Sequence, residues 1–257
     1  MRSESAGKRI ALVTGANRGL GFELCRQLAA QDVTVLMGAR SAESGEKAAD
    51  ELGSEDQDKG RDVHFIQLDV SDDASIVSAA SQIADQYGRL DILVNNAAIL
   101  TDLNQQPTEV SDETLKANFD VNFFGAWKLT RELAPLIKAA SGRVLNMSTQ
   151  VARLSQLADP DSPLKDDICP AYQASKIALN AMTVLFAKEF SEHDACVNSV
   201  CPGWVLSDRG QEDLPDYGYA ARPMTPEEAV YLYLWLLGPG DDVPTGGFFT
   251  GRERVEW

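Results

Sequence analysis

The stretch Thr14-Gly-Ala-Asn-Arg-Gly-Leu-Gly21 constrains this chain more than any other. Ahead of it, Ile10-Ala-Leu-Val13 is an apolar run of buried-strand type. Behind it, Leu20, Leu24 and Leu28 recur at helical spacing. The glycines therefore stand where a strand turns into a helix. Glycine permits the tight turn and lets a ligand approach the backbone, while the helix's first amides and positive dipole end suit a phosphate. The spacing is Gly-x3-Gly-x-Gly rather than the commoner GxGxxG, so a glycine turn with no ligand stays open on this evidence alone.

Strand and helix signals alternate along the rest of the chain. Strands are expected at 33–38, 63–68, 90–94, 142–147, 195–200 and 246–250. Helices are expected at 41–52, 72–87, 112–138 with a break near Pro135, 171–190 and 225–237. Without repeats or an internal linker, this order implies one α/β domain over residues 1–257. Its core is a single doubly wound parallel sheet of Rossmann type with helices on both faces. Ligands bind such sheets beyond the C-terminal strand ends. Residues 14–21, Arg40, Asp69, Asn95, Ser148, Thr149 and 201–203 all fall at strand ends and converge on one crevice.

A net charge of −16 argues against nucleic acid or anionic lipid as partners. It reads as a solvated acidic surface, with adaptation to a salt-rich habitat as the alternative. Apolar residues at 44% exclude global disorder. The N-terminal segment has no apolar signal core, and the longest apolar run, 231–237, is too short to span a bilayer. A soluble cytoplasmic protein is expected. Its four cysteines and two histidines form no ligand cluster, so reduced thiols and no structural metal are expected.

Tyr172-Gln-Ala-Ser-Lys176 opens the helix that follows the fifth strand. At i and i+4 the two side chains share one helical face. A phenol with a pKa near 10 needs a shift of about 3 units, or about 4 kcal/mol, to ionise near pH 7. One ammonium about 4 Å away in a partly screened site supplies roughly that much. The pair suits a general acid that protonates a carbonyl oxygen, and a base in reverse.

Residues 14–21, Asn95-Asn96-Ala97-Ala98, Asn122, Ser148-Thr149, Tyr172-x3-Lys176 and Cys201-Pro202-Gly203 together resemble the short-chain dehydrogenase/reductase family over nearly the whole chain. Cys201-Pro-Gly-Trp-Val205 and the ending Arg252-Glu-Arg-Val-Glu-Trp257 are similar to its carbonyl reductases. The resemblance implies that Tyr172 donates the proton and that Lys176 lowers its pKa and holds the nicotinamide ribose. Asn122 would hold a water linking Lys176 to solvent. The substrate-orienting hydroxyl falls on Thr149, where the family mostly has serine; Ser148 is the substitute. Ala98 replaces the family's glycine.

The same resemblance sets the coenzyme against Gly15, Asn17, Arg18, Gly19, Leu20, Gly21, Arg40, Asp69, Val70, Asn96, Ala97, Pro202, Gly203, Val205 and Ser207, besides Tyr172 and Lys176. Charge argues for NADPH/NADP+. NAD enzymes carry a carboxylate at the end of the second strand, whereas Gly38-Ala39-Arg40 ends this one and Arg18 stands in the glycine loop. Two guanidiniums suit a 2′-phosphate; a plain surface charge at Arg40 is the alternative. Asp69 either accepts from the adenine amino group or caps the following helix. Cys201 adjoins the coenzyme as a modifiable thiol or is buried and inert.

A substrate lid is expected at about 207–223, with a solvated loop as the alternative for 215–219. The segment at about 150–171 is longer than the family's usual link. In carbonyl reductases an insertion here covers the helix face that others use to dimerise, so a monomer is expected over a homo-oligomer. The function these residues imply is NADPH-dependent reduction of an aldehyde or ketone, a small-molecule carbonyl. NADP-dependent oxidation of a secondary alcohol, and a non-enzymatic NADP sensor of the same fold, are the alternatives.

Overall fold

The computed structural model describes residues 7–55, 61–165, 168–206, 223–240 and 242–257. Eight strands form one sheet in the order β3-β2-β1-β4-β5-β6-β7-β8. They are β1 Ile10–Thr14, β2 Thr34–Ala39, β3 Val63–Gln67, β4 Ile92–Asn95, β5 Arg143–Met147, β6 Cys196–Cys201, β7 Phe248–Thr250 and β8 Glu253–Val255. β1 through β7 pair in parallel. β8 turns back and pairs antiparallel to β7, with Phe248 opposite Val255. The all-parallel expectation is corrected at that edge. Gly251, with φ +60°, makes the reversal at the tip of a short hairpin.

Period-two alternation assigns the two faces. Ile10, Leu12, Leu36, Leu93 and Val144 pack under α3 (Asp73–Tyr87), α5 (Ala126–Ala139) and α7 (Pro170–Phe190). Ala11, Val13, Val35, Met37 and Leu145 face α1 (Gly19–Ala29), α2 (Ala42–Ser54) and α8 (Pro226–Tyr233). Every residue of β1, β2, β4 and β5 is buried, which is why these strands read as continuous apolar runs. Among the described residues, no helix is long and apolar enough to cross a membrane.

The long helix expected over 112–138 is broken, but not at Pro135. α4 (Asp112–Phe119) passes into a π-helical segment, Asp120–Gly125, before α5 begins. Pro135 lies inside α5 on its exposed side, where water can satisfy the carbonyl that loses its partner. The widened turn sits instead where the helix presses on the chain after β3. A Cβ at Gly125 would stand 2.5 Å from the Val70 carbonyl oxygen.

Under the α5/α7 face runs a chain of buried polar groups. Asn95 Nδ2 donates to Asn146 Oδ1 (2.7 Å) and to Thr130 Oγ1 (3.1 Å). Asn146 Nδ2 donates to Thr183 Oγ1 (2.8 Å), which itself donates to the Leu179 carbonyl (3.0 Å). Ser199 Oγ lies 2.7 Å from the same oxygen. With its one proton given to Leu179, Thr183 accepts from Ser199. Three strands and two helices are thereby registered against one another. Thr183→Val keeps the shape and strands the donors of Asn146 and Ser199. Urea unfolding should show a loss of about 1–3 kcal/mol, and the melting temperature should fall by roughly 2–4 °C per kcal/mol.

Candidate active site

The glycine turn is stitched to the chain leaving β4. Thr14 Oγ1 donates to the Val94 carbonyl (3.3 Å) and accepts from the amides of Asn96 (3.0 Å) and Ala97 (2.9 Å). Asn96 Nδ2 donates to the carbonyls of Thr14 (2.8 Å) and Gly15 (3.1 Å). Gly15 takes φ +62°, and a Cβ at Gly21 would lie 2.5 Å from the Gly15 carbonyl and 2.6 Å from Asn96 Nδ2. No other residue fits at Gly21 without moving this turn. Arg18 is the N-cap of α1 and makes no side-chain cap, so the helix's first amides remain for a ligand.

Above them opens a cavity of about 590 Å³. Gly15, Asn17, Arg18, Gly19, Leu20, Gly21, Arg40, Asp69, Val70, Asn96, Ala97 and Val205 line it, as the sequence pattern predicts. Pro202 and Gly203 stand in the turn after β6 but do not line it, and Ser207 lies outside the described residues. So does all of the expected lid but Pro223.

Sequence reasoning missed Ser41, Ser44, Ile99, Val121 and Leu206 on the cavity wall. Ser41 caps α2, and Ser44 Oγ accepts from Asn17 Nδ2 at 3.2 Å; a serine three residues into a helix gives no local signal of a ligand. Arg18 and Arg40 are exposed, and among the described residues neither is in a salt bridge. Asp69 is no helix cap. Its Oδ1 accepts from the amide and hydroxyl of Ser71 (2.9 and 2.6 Å), while Asp72 caps α3.

Beyond the cavity wall at Ile99 stands α7; Tyr172, Lys176 and Thr149 do not line the cavity itself. Lys176 is 2% exposed, its Nζ donates to the Met147 carbonyl at 2.6 Å, and it lies 5.7 Å from the centre of the Tyr172 ring. Burial lowers its pKa to about 7, so the permanent ammonium expected beside the phenol is itself disfavoured in this form. Thr149 and Ser148 are separated by exposure. Thr149 is half-buried and its Oγ1 accepts from the Val151 amide at 3.4 Å, whereas Ser148 is 4% exposed. Cys201 is buried, accepts from the Gly203 amide at 3.4 Å, and has its pKa raised by burial. It is the inert alternative.

Asn122 sits in the π-helical segment. Its side chain accepts from the Ile99 amide (2.8 Å) and donates to the Ile99 carbonyl (2.9 Å) and to Ser175 Oγ (3.0 Å). It bridges the loop after β4 to the helix that bears Tyr172, a role its position in the sequence does not disclose. The long segment before α7 packs elsewhere than expected. Ser155 Nα and Oγ donate to the Trp257 carbonyl, and Arg153 Nε to that of Glu256. On the face of 112–136 that the insertion is expected to shield, Leu115 and Phe124 remain 43% exposed among the described residues.

Comparison with known proteins agrees with this geometry. Residues 9–218 match the model of a family described as short chain dehydrogenase. Carbonyl reductase (NADPH) 1 of Sus scrofa is 32% identical, over 98% of this chain and 96% of that one. The (+)-neomenthol dehydrogenase of Arabidopsis thaliana is 30% identical, over 97% and 98%. A crystal structure of NADPH-bound carbonyl reductase from chicken fatty liver superposes with a TM-score of 0.79 over 98% of this chain and all of that one. At 23% identity that likeness shows the fold.

The buried lysine makes stability depend on pH. In the unfolded chain Lys176 holds its proton up to about 10.5, but in the fold only up to about 7. Between these values the folded form binds fewer protons, so stability rises with pH across that window. The cost is full below it, at most about 5 kcal/mol. Without coenzyme, Lys176→Met should melt above the unmodified protein at pH 6, and the gap should narrow toward pH 10 in calorimetry.

Proposed function

This chain belongs to the short-chain dehydrogenase family, and on that premise we propose that it reduces an aldehyde or ketone to the alcohol with NADPH. The observation that carries the reading is the pairing of Tyr172 with a fully buried Lys176 on one face of α7, which Asn122 joins through Ser175 to Ile99 on the wall of the glycine-turn cavity. The cavity fits a dinucleotide. Its glycine cradle leaves no room for a Cβ at Gly21, the first amides of α1 take no side-chain cap, and Arg18 and Arg40, in no salt bridge among the described residues, line it.

Residues 15–21 would hold the diphosphate, with Asn96 and Ala97 behind them. Arg18, Arg40 and Ser41 would take the 2′-phosphate, and Asp69 and Val70 the adenine. Val205, Pro202 and Gly203 would face the nicotinamide. When bound, the coenzyme supplies hydride to the carbonyl carbon. Thr149 donates a hydrogen bond to the carbonyl oxygen, and Tyr172 passes its phenolic proton to that oxygen as negative charge develops there.

Lys176 shares the ribose and the phenol. A polarised phenol beside it would oppose the burial that now disfavours its charge. Asn122 holds the helix bearing both residues against the β4 loop. The kinship with a dehydrogenase supports the reverse reaction at the same site, oxidation of a secondary alcohol, with direction set by the coenzyme ratio.

In a panel of carbonyl compounds followed by loss of NADPH absorbance, NADPH should exceed NADH at least tenfold in kcat/KM, about 1.4 kcal/mol. Arg40→Asp should shrink or invert that ratio. Equal use of both coenzymes by the unmodified protein defeats the NADPH assignment.

Tyr172→Phe should cost ~10²–10⁴ in kcat with NADPH affinity little changed, and Lys176→Ala should damage both. Thr149→Val should lower kcat strongly, while Thr149→Ser keeps activity. Full activity in Tyr172→Phe ends the mechanism. A dead Ser148→Ala beside a normal Thr149→Val moves the orienting hydroxyl by one residue.

A further inference from the structure

We infer that Asp102 is a positioning residue for Tyr172, a carboxylate that holds the first turn of the catalytic helix in place from the loop after β4. The inference rests on the reductase reading above. Helix α7 does not cap itself. Its N-cap, Cys169, makes no side-chain cap, and Pro170 at the first helical position has no N–H to offer. The first amides in need of a partner are therefore those of Ala171 and Tyr172.

Both are met by one side chain about seventy positions earlier in the sequence. Asp102 Oδ2 accepts from the Ala171 amide at 2.5 Å, and its two oxygens lie 3.3 and 3.4 Å from the Tyr172 amide. Asp102 is 0% exposed. A carboxylate is costly to bury unless hydrogen-bonded, and a helix N-terminus is where its charge is favoured.

The loop that carries Asp102 is itself tied down on either side. Ile99 is held at both backbone groups by Asn122. Thr101 Oγ1 accepts from Asn118 Nδ2 at 2.8 Å. The Asn104 amide donates to the Ile168 carbonyl at 2.8 Å, with Asn104 in the left-handed region at φ +61°. Loop, π-helical segment and the start of α7 thus form one brace.

The direction of the Tyr172 side chain is set by the backbone at residue 172, whose own amide Asp102 binds. The far end of this 21-residue helix is anchored in the core by Phe186 and Phe190. Movement is therefore left to the first turn, where a displacement of about 1 Å between reacting groups is worth roughly 10² in rate.

The test uses the full-length protein with NADPH and its best carbonyl substrate. Asp102→Ala should lower kcat at least 30-fold, and Asp102→Asn, which keeps one acceptor oxygen, should recover part of that loss. Both should leave the carbonyl KM and the NADPH Kd within twofold. Hydrogen exchange should speed at least tenfold at the Ala171 and Tyr172 amides and stay unchanged at 183–190.

An unchanged kcat in either folded variant overturns the proposal. So does a kcat that falls in step with lost NADPH binding. If Asp102→Ala does not fold, the asparagine variant carries both measurements. An unmodified protein that turns over no carbonyl defeats the reductase reading, and no coupling of Asp102 to catalysis then survives. The exchange arm decides the brace by itself, since unaltered exchange at Ala171 and Tyr172 overturns it whatever the activity.

Discussion

Most of this site hangs on the hydrogen bonds between Thr14 and the chain leaving β4. β1 and β4 are neighbours in the sheet, yet the chain departs from them toward opposite edges. A crevice opens between them, with backbone groups that pair with no strand. Thr14 Oγ1 binds the Asn96 and Ala97 amides, and Asn96 Nδ2 returns to the Thr14 and Gly15 carbonyls. These bonds satisfy polar groups at the floor of the crevice that are costly to bury unpaired. They also fix how far the glycine turn stands from the loop of the next strand, and so the shape of the cavity floor.

Electrostatics then divides the crevice into two ends of different character. At the end over α1 and α2, exposed guanidiniums and the first turn of α1, which has no side-chain cap, make the surroundings favourable to an anion. At the other end, Lys176 is sealed under the Tyr172 ring with the Met147 carbonyl as its acceptor. An ammonium there is desolvated and, among the described residues, has no carboxylate partner, so its protonation is poised near neutrality and responds to whatever anion or phenol is brought beside it. One end of the crevice attracts charge, and the other waits for it.

Rigidity comes from side chains other than Tyr172, Lys176 and Thr149. The chain of Asn95, Asn146, Thr183 and Ser199 ties β4, β5 and β6 to α7. Asn122, in a π-helical widening, and Asp102, buried within a largely exposed loop, tie the start of that helix to the strand ends. A buried polar network of this kind permits little sliding, because any shift leaves several donors unpaired at once. Tyr172 is held at its backbone while its side chain stays half-buried.

By itself the sequence determined the order of strands and helices, the position of the glycine turn, and most of the residues from Gly15 to Val205 that line the cavity above it. Each of these is a local or periodic property: an apolar run, leucines four residues apart, glycines between a strand and a helix. The reversal of β8, the shift of the helix break from Pro135 to 120–125, and the roles of Ser41, Asn122 and Asp102 were decided only in three dimensions. β8 depends on having β7 beside it, and the break depends on the Val70 carbonyl meeting Gly125. Asp102 has no pattern around it that marks a cap, because the amides it binds lie about seventy positions further along the chain. Burial, likewise, is what sets the charge of Lys176, and burial is a property of neighbours that a single stretch of sequence does not contain.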